Sequence, residues 1–307
     1  QQQIIKPRLM DKIELLKGHS LFSTLASSLP LIQHNSAVRS TFAAAQRKAA
    51  ASANVSKISQ FSLELCNPEN PRIATPIEQE LNIRDGQNIL VAVMPFNGMN
   101  VEDAVVVNKQ AIENGDLDAI IYVTHNINII NKKDTMIEIC SGIEVGSRVA
   151  MYQTIAMIID TNTGDRIESF IHLSLNDGEI TEILYKPNDK KPLTVQITVN
   201  VHAPIQVGDK VSTRYGQKGV VSKLVEFDDL PYTSNGARPT LIINPHAFPT
   251  RMTIGQLIES VLIRHENIGL NQQKVYPQFQ DSNVLDKDSV ITMYNPKTCQ
   301  PYPQKIF

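Results

Sequence analysis

Lys210, Arg214 and Lys218 recur at every fourth position within GDKVSTRYGQKGVV (208–221), a stretch punctuated by Gly208, Gly216 and Gly219. On a helix that spacing would stack three cations on one face. The glycines, with β-branched Val211, Thr213, Val220 and Val221, argue instead for a looped or strand–turn path. Cations converging on such a path make an anion site. Lysine is protonated at neutral pH, its ordinary pKa being about 10.4, and neighbouring glycines let the backbone approach a phosphate closely. Phosphoryl transfer is the reaction most in need of such a group, because it asks for positioning and charge stabilisation rather than covalent help. Taken alone, the same residues also read as a hairpin with solvated lysines, since VGDK is a turn signal and GQKG lacks the spacing of a P-loop.

Three further groups of residues carry chemistry. Arg251, in FPTRMT, is expected just before or within the first turn of a helix, where by itself it reads as an exposed charge slightly unfavourable to the helix dipole. Glu102 and Asp103 are adjacent, and in an extended segment they would face opposite ways. Arg39, Gln46, Arg47 and Lys48 form a polar set in an alanine-rich helical stretch, which by itself reads as a solvated helix face. The seven histidines show no metal-ligand spacing, and His34 and His246 read as structural. No zinc is expected in this chain.

The elements that must position these groups follow from composition and pattern. A chain of 307 residues with 42% hydrophobic and 20% charged residues can build a sizeable core, as one large or two smaller domains. A net charge of −2 excludes binding to nucleic acid by bulk charge, so any such contact must be local. Three scattered cysteines give no disulfide framework and fit a reducing compartment. No apolar run is long enough to span a membrane. Residues 1–60 read mostly helical, with a polar turn at QHNSAVRS (33–40) before TFAAAQRKAAASA. From QNILVAVMPF to TVQITVNVHAPI the pattern is short Val/Ile-rich strands bounded by turn residues. TRMTIGQLIESVLIRHENIG returns to helix, with Ile254, Leu257, Ile258, Val261 and Leu262 as its apolar face, Thr250 or Thr253 as cap and Gly269 at C′. The fold class is α+β: a β-rich body with a barrel-like centre, flanked by helical segments.

Several stretches together resemble the catalytic β subunit, the second-largest subunit, of multisubunit DNA-directed RNA polymerases. They are GQNILVAVMPFNGMNVEDAVVVNKQAI (86–112), IQVGDKVSTRYGQKGVVS (205–222) and INPHAFPTRMTIGQLIES (243–260). SLPLIQHNSAVRSTFAAAQRKA (28–49) resembles that subunit's fork segment, one residue shorter between Arg39 and Arg47 than the bacterial pattern. DDLPYTSNG (228–236) and MYNPKTCQPY (293–302) resemble two of its loops. Tyr215 stands where the family motif usually has histidine.

The resemblance implies a double-psi β-barrel around the basic stretch. It implies three segments: 1–70 fork-like and helical; 71–260 catalytic, with an inserted β-rich subdomain at about 113–200; and 261–307 hybrid-binding. It also implies that Lys210, Lys218 and Arg251 serve the phosphates of the incoming nucleotide and the RNA 3′ end. Arg39, Gln46, Arg47 and Lys48 would meet nucleic acid, and Arg214, between the two lysines, would be a structural contact or a nucleic-acid contact to the hybrid, with a smaller catalytic effect. Catalytic Mg²⁺ would be held mainly by a β′-type partner, with Glu102 and Asp103 near the second ion through water. Remaining β segments, DNA template, RNA transcript, NTPs and an initiation factor are the other implied partners. The mixture of bacterial-like and archaeal/eukaryotic-like motifs points to a viral or large-phage enzyme, in the cytoplasm of a bacterial or infected cell or in the virion. The absence of an initiator Met and of flanking lobes points to a fragment or one piece of a split subunit. The rival reading is a polymerase-derived scaffold or nucleic-acid-binding subunit without catalysis, which should have lost these cations.

Overall fold

The computed structural model describes residues 22–55, 61–128, 135–174, 176–188, 191–265, 268, 272–276 and 292–303. The chain is α+β, rich in strands with few helices, and divides into two units. One comprises Gln1–Ala49, Asn67–Asp116 and Gln206–Phe307; the other comprises Ala50–Cys66 and Leu117–Ile205. Every candidate site residue belongs to the first.

The first unit is organised by a five-stranded mixed sheet: β1 (Val91–Val93), β2 (Ala104–Asn108), β3 (Lys210–Ser212), β4 (Lys218–Val225) and β5 (Leu241–Ile243). Their order is β3-β4-β2-β5-β1. β3 and β4 form an antiparallel hairpin, β4 runs parallel to β2, β2 antiparallel to β5, and β5 parallel to β1. Among the described residues this sheet is open, not closed on itself. β2 is nearly continuous in apolar residues because both its faces are covered: Val105, Val106, Val107 and Asn108 are all buried. Val106 packs with Ala92, Met94, Phe96, Val225, Leu230, Ile242 and Met293 as the core beneath the sheet. β4 alternates at its start, exposing Lys218 and Val220 and burying Gly219 and Val221.

Two helices flank this sheet's hairpin. α1 (Ala37–Val55) begins earlier than the polar turn expected at 33–40 allows. Ser36 supplies the cap, its Oγ accepting from the Arg39 N–H at 3.3 Å, so the turn ends there. The helix expected from Thr250 onward is two helices. A short one, Ala247–Arg251, ends at Met252 in the left-handed region (φ 52°), and α2 (Ile254–His265) follows. Arg251 therefore closes the first helix instead of opening α2. The start of α2 is capped from far away in sequence, as Asn35 Oδ1 accepts from the Gly255 N–H at 2.9 Å. Ile258 and Leu262 are buried with Leu31, Ile73 and Tyr276, whereas Ile254, expected on the same face, is exposed. The helical reading of residues 1–21 and the C′ role of Gly269 lie outside the described residues.

The second unit holds an antiparallel sheet of five strands, ordered Phe61–Leu65, Ala119–Asn128, Lys191–Ala203, Gly178–Asn188 and Arg148–Val149. A separate three-stranded sheet joins Thr135–Ile139, Thr154–Asp160 and Arg166–Ile171. Val123, Ile127, Ile155, Ile180, Ile197 and Val199 lie in its core.

Candidate functional site

The β3–β4 hairpin answers how the basic stretch is folded. Lys210 lies opposite Val220 and Ser212 opposite Lys218. Directly paired residues share a face, so both lysines, Ser212 and Val220 project from one side, and all four are exposed. The two lysines are diagonal neighbours, about 7–8 Å apart by the geometry of an antiparallel pair. Among the described residues no carboxylate pairs with either.

Gly219, facing inward, seats the hairpin. A Cβ there would fall 2.4 Å from Val105 Cγ2 and 2.8 Å from the Asp103 carbonyl oxygen, so only glycine permits this approach. The Val220 N–H donates to that same carbonyl at 2.9 Å.

Asp103 also turns toward Arg251. Its Oδ2 accepts from Arg251 Nη2 in an ion pair, while Arg251 Nη1 is buried with no partner among the described residues. Glu102 and Asp103 do not occupy an extended segment. They lie in the turn before β2, Glu102 in the left-handed region (φ 57°) and exposed. This pair does not fit a resident Mg²⁺ ion. A divalent cage of this kind needs several converging oxygens, and one of these two carboxylates is already engaged by a guanidinium. No group of three His, Cys, Asp or Glu side chains that could hold a metal occurs among the described residues.

Arg214 departs from the lysines. The turn between β3 and β4 directs it inward, where Nη1 donates to Glu78 Oε1 at 3.2 Å and to the Ile73 carbonyl at 3.0 Å, and Nη2 to Glu259 Oε1 at 2.5 Å. Arg47 joins the same network: its Nη1 lies 2.6 Å from Glu78 Oε1 and donates to the Ser28 carbonyl at 2.7 Å, and its Nε is 2.9 Å from Asp85 Oδ2. Arg47 was expected on nucleic acid, and Arg214 as a structural or hybrid contact. Here their charges are matched by buried or half-buried carboxylates, which is how a folded chain accommodates an interior cation. Burial works against the Arg214 charge, but Glu259 and Glu78 outweigh it and raise its pKa. The Tyr215 hydroxyl donates to Glu259 Oε2, and burial followed by the Glu259 charge pushes that phenol well above its ordinary value.

The remaining fork residues line the hairpin. Arg39 is half-buried, stacked over Phe42 at 5.4 Å, with Nη1 3.4 Å from the Gly216 carbonyl. Gln46 Oε1 accepts from Ser212 Oγ at 2.5 Å, and Lys48 is exposed. Gly216 adopts φ +77°, and a Cβ on it would meet the Arg39 carbonyl oxygen at 2.8 Å. The sequence reading missed Glu78, Asp85 and Glu259. One signal was available for Glu78, because Thr75-Pro76-Ile77-Glu78 is a capping box. Thr75 Oγ1 accepts from the Glu78 N–H at 3.3 Å, and Glu78 Oε2 accepts from the Thr75 N–H at 2.9 Å.

Sheet, hairpin and helices thus define an α+β protein that presents two cations on an exposed face and ties the turn between them into a buried charge network. The chain belongs to the RNA polymerase Rpb2, domain 6 family, which it matches over residues 25–151 and 143–307. It is 29% identical over 276 residues to the mouse DNA-directed RNA polymerase I subunit RPA2, covering 79% of this chain and 24% of the relative. It is 27% identical over an aligned length of 340 to the 132 kDa polypeptide of the sheeppox virus DNA-directed RNA polymerase, covering 92% of this chain and 37% of the relative. The vaccinia virus 133 kDa polypeptide matches at 27% over the same share of this chain and 29% of its own length. The chain therefore spans about a quarter to just over a third of these relatives. No helix among the described residues is long and apolar enough to cross a membrane.

Proposed function

We propose that this chain is part of the active centre of a DNA-directed RNA polymerase, a nucleotidyltransferase that works only when assembled with a β′-type subunit. Family membership and the names of the relatives support the reaction class. The observation that carries the residue assignment is the shared exposed face of Lys210 and Lys218, with no carboxylate paired to either among the described residues. Each lysine neutralises phosphate charge at the RNA 3′ end or on the incoming NTP, where charge develops in the transition state. Arg251 serves the triphosphate, and Arg39, Gln46 and Lys48 line the path of the nucleic acid. Mg²⁺ is held by the β′-type partner.

The mixed sheet is this chain's share of the double-psi β-barrel that the resemblance implies. Residues 1–70 act as the fork, 71–260 as the catalytic segment with its insertion at about 113–200, and 261–307 toward the hybrid. Remaining β segments, DNA template, RNA transcript and an initiation factor complete the assembly. The place of action is the cytoplasm of a bacterial or infected cell, or the virion.

The test is single-nucleotide addition on a preassembled RNA–DNA scaffold, which bypasses initiation. Lys210→Ala and Lys218→Ala should each slow addition strongly while leaving promoter binding nearly intact, and the double variant should be less than additive because both act on one transition state. Wild-type rates in both single variants would remove the assignment and favour a non-catalytic scaffold.

A further inference from the structure

Tyr215 has a seat built for it. Its ring lies against Gly255 in the first turn of α2, where a Cβ would stand 3.0 Å from the ring's Cε1 and 3.0 Å from Asn35 Nδ2. Glu259 is four residues further along the same helix, on the same face, and receives the hydroxyl. The other oxygen of that carboxylate holds Arg214, which also reaches Glu78. Glu78 in turn lies 2.6 Å from Arg47 of α1. Arg214 and Tyr215 sit between the two lysine-bearing strands, so α1, α2 and the Pro76–Glu80 helix all grip the turn of one hairpin.

We propose that Tyr215 and Glu259 are positioning residues: the phenol-to-carboxylate bond locks the hairpin turn so that Lys210 and Lys218 hold one face toward the reacting phosphates. This rests on the active-centre reading above for its catalytic consequence, but the lock itself is a property of this chain. The side-chain chemistry fits the role. Glu259 has two acceptor oxygens and two donors from adjacent residues of the turn, Arg214 and Tyr215, so it fixes both at once. The phenol supplies a neutral donor that satisfies the carboxylate without adding a charge to the interior. Removing the hydroxyl alone leaves Glu259 one donor short in a mostly buried place, which loosens the turn without removing a cation.

Two measurements on the assembled polymerase test this. Hydrogen exchange of the 212–219 amides should rise in Tyr215→Phe, Tyr215→His and Glu259→Gln, with the exchange of β2 unchanged. Single-nucleotide addition by Tyr215→Phe, normalised to assembled enzyme, should slow roughly tenfold in kcat with little change in KM for NTP, the pattern of an interaction felt in the transition state. A residue needed only for folding would lower the yield of enzyme and leave kcat of the assembled fraction normal. Unchanged exchange at 212–219 in all three variants would overturn the lock. Raised exchange with normal kcat in Tyr215→Phe, while the lysine variants are slow, would overturn the positioning role. Raised exchange with lysine variants that are themselves normal would support the lock and refute instead the phosphate role assigned to the lysines.

Discussion

Arg251 and Asp103, 148 residues apart in sequence, meet in an ion pair, and the backbone carbonyl of the same Asp103 accepts the N–H of Val220 on the strand that begins with Lys218. One aspartate thus bridges the arginine and the lysine hairpin. The carboxylate pre-sets the guanidinium beside the hairpin while leaving Nη1 without a partner among the described residues.

If that guanidinium serves the triphosphate, Arg251→Ala should lower kcat/KM for NTP addition by roughly 2–4 kcal/mol, the range for loss of one charge-stabilising donor. Asp103→Asn keeps the shape and removes the charge that holds the arginine, so it should reproduce part of the defect. The double variant should show less than the sum, because the two residues act as one unit. Steady additivity across single-turnover measurements would mean that Asp103 does not act through Arg251.

Arg47 should behave as an interior residue. Its removal leaves Glu78 and Asp85 without a major partner. Breaking a buried pair from one side costs about 3–5 kcal/mol. Arg47→Ala should therefore lower the urea midpoint of the chain markedly, with Arg47→Lys between it and the wild type, since lysine lacks the fork that reaches Glu78, Asp85 and the Ser28 carbonyl together. The slope of DNA affinity against salt should be unchanged in assembled enzyme, whereas loss of a phosphate contact reduces that slope by about one. A reduced slope with normal stability would put Arg47 on nucleic acid after all.

The strand class and the hairpin were legible because they rest on local signals. Val105–Val107 read as part of a short valine-rich strand, and Gly208, Gly216 and Gly219 argued against a helix for the basic stretch. The spacing alone did not sort the three cations; only the family resemblance set Arg214 apart from the two lysines. Lys210, Arg214 and Lys218 look equivalent at four-residue spacing, and only the register Lys210↔Val220 shows that the outer two share a face. The inward course of Arg214 depends on Glu78 and Glu259, which are 136 and 45 residues away in sequence and carry no mark of that pairing. The same limit hid the break at Met252. A left-handed methionine leaves no trace in an apolar periodicity, and the cap for α2 comes from Asn35, not from a neighbouring threonine.

The second unit carries a pH dependence of its own. His172 is fully buried, and its Nδ1 lies 3.2 Å from Nε2 of His125. Burial, reinforced by the charge that His172 would carry, lowers the His125 pKa from its ordinary 6.5 to about 4, and burial also lowers that of His172 against the opposing pull of the Asn176 backbone and Asp177. Both rings are therefore neutral in the fold but take up protons in the unfolded chain once the pH drops below about 6.5. The sign follows: stability is full above that value and falls as the pH descends toward about 4, because the unfolded state binds more protons throughout that window. His125→Gln keeps a hydrogen-bonding side chain and removes one titration. Hydrogen exchange of the paired amides in Ala119–Asn128 and Lys191–Ala203 should accelerate in the wild type as the pH is lowered across this window, after correction for intrinsic exchange. The variant should accelerate less. If the two proteins follow the same pH curve, His125 is not the group that titrates, and the acid sensitivity of this sheet must come from elsewhere in the unit.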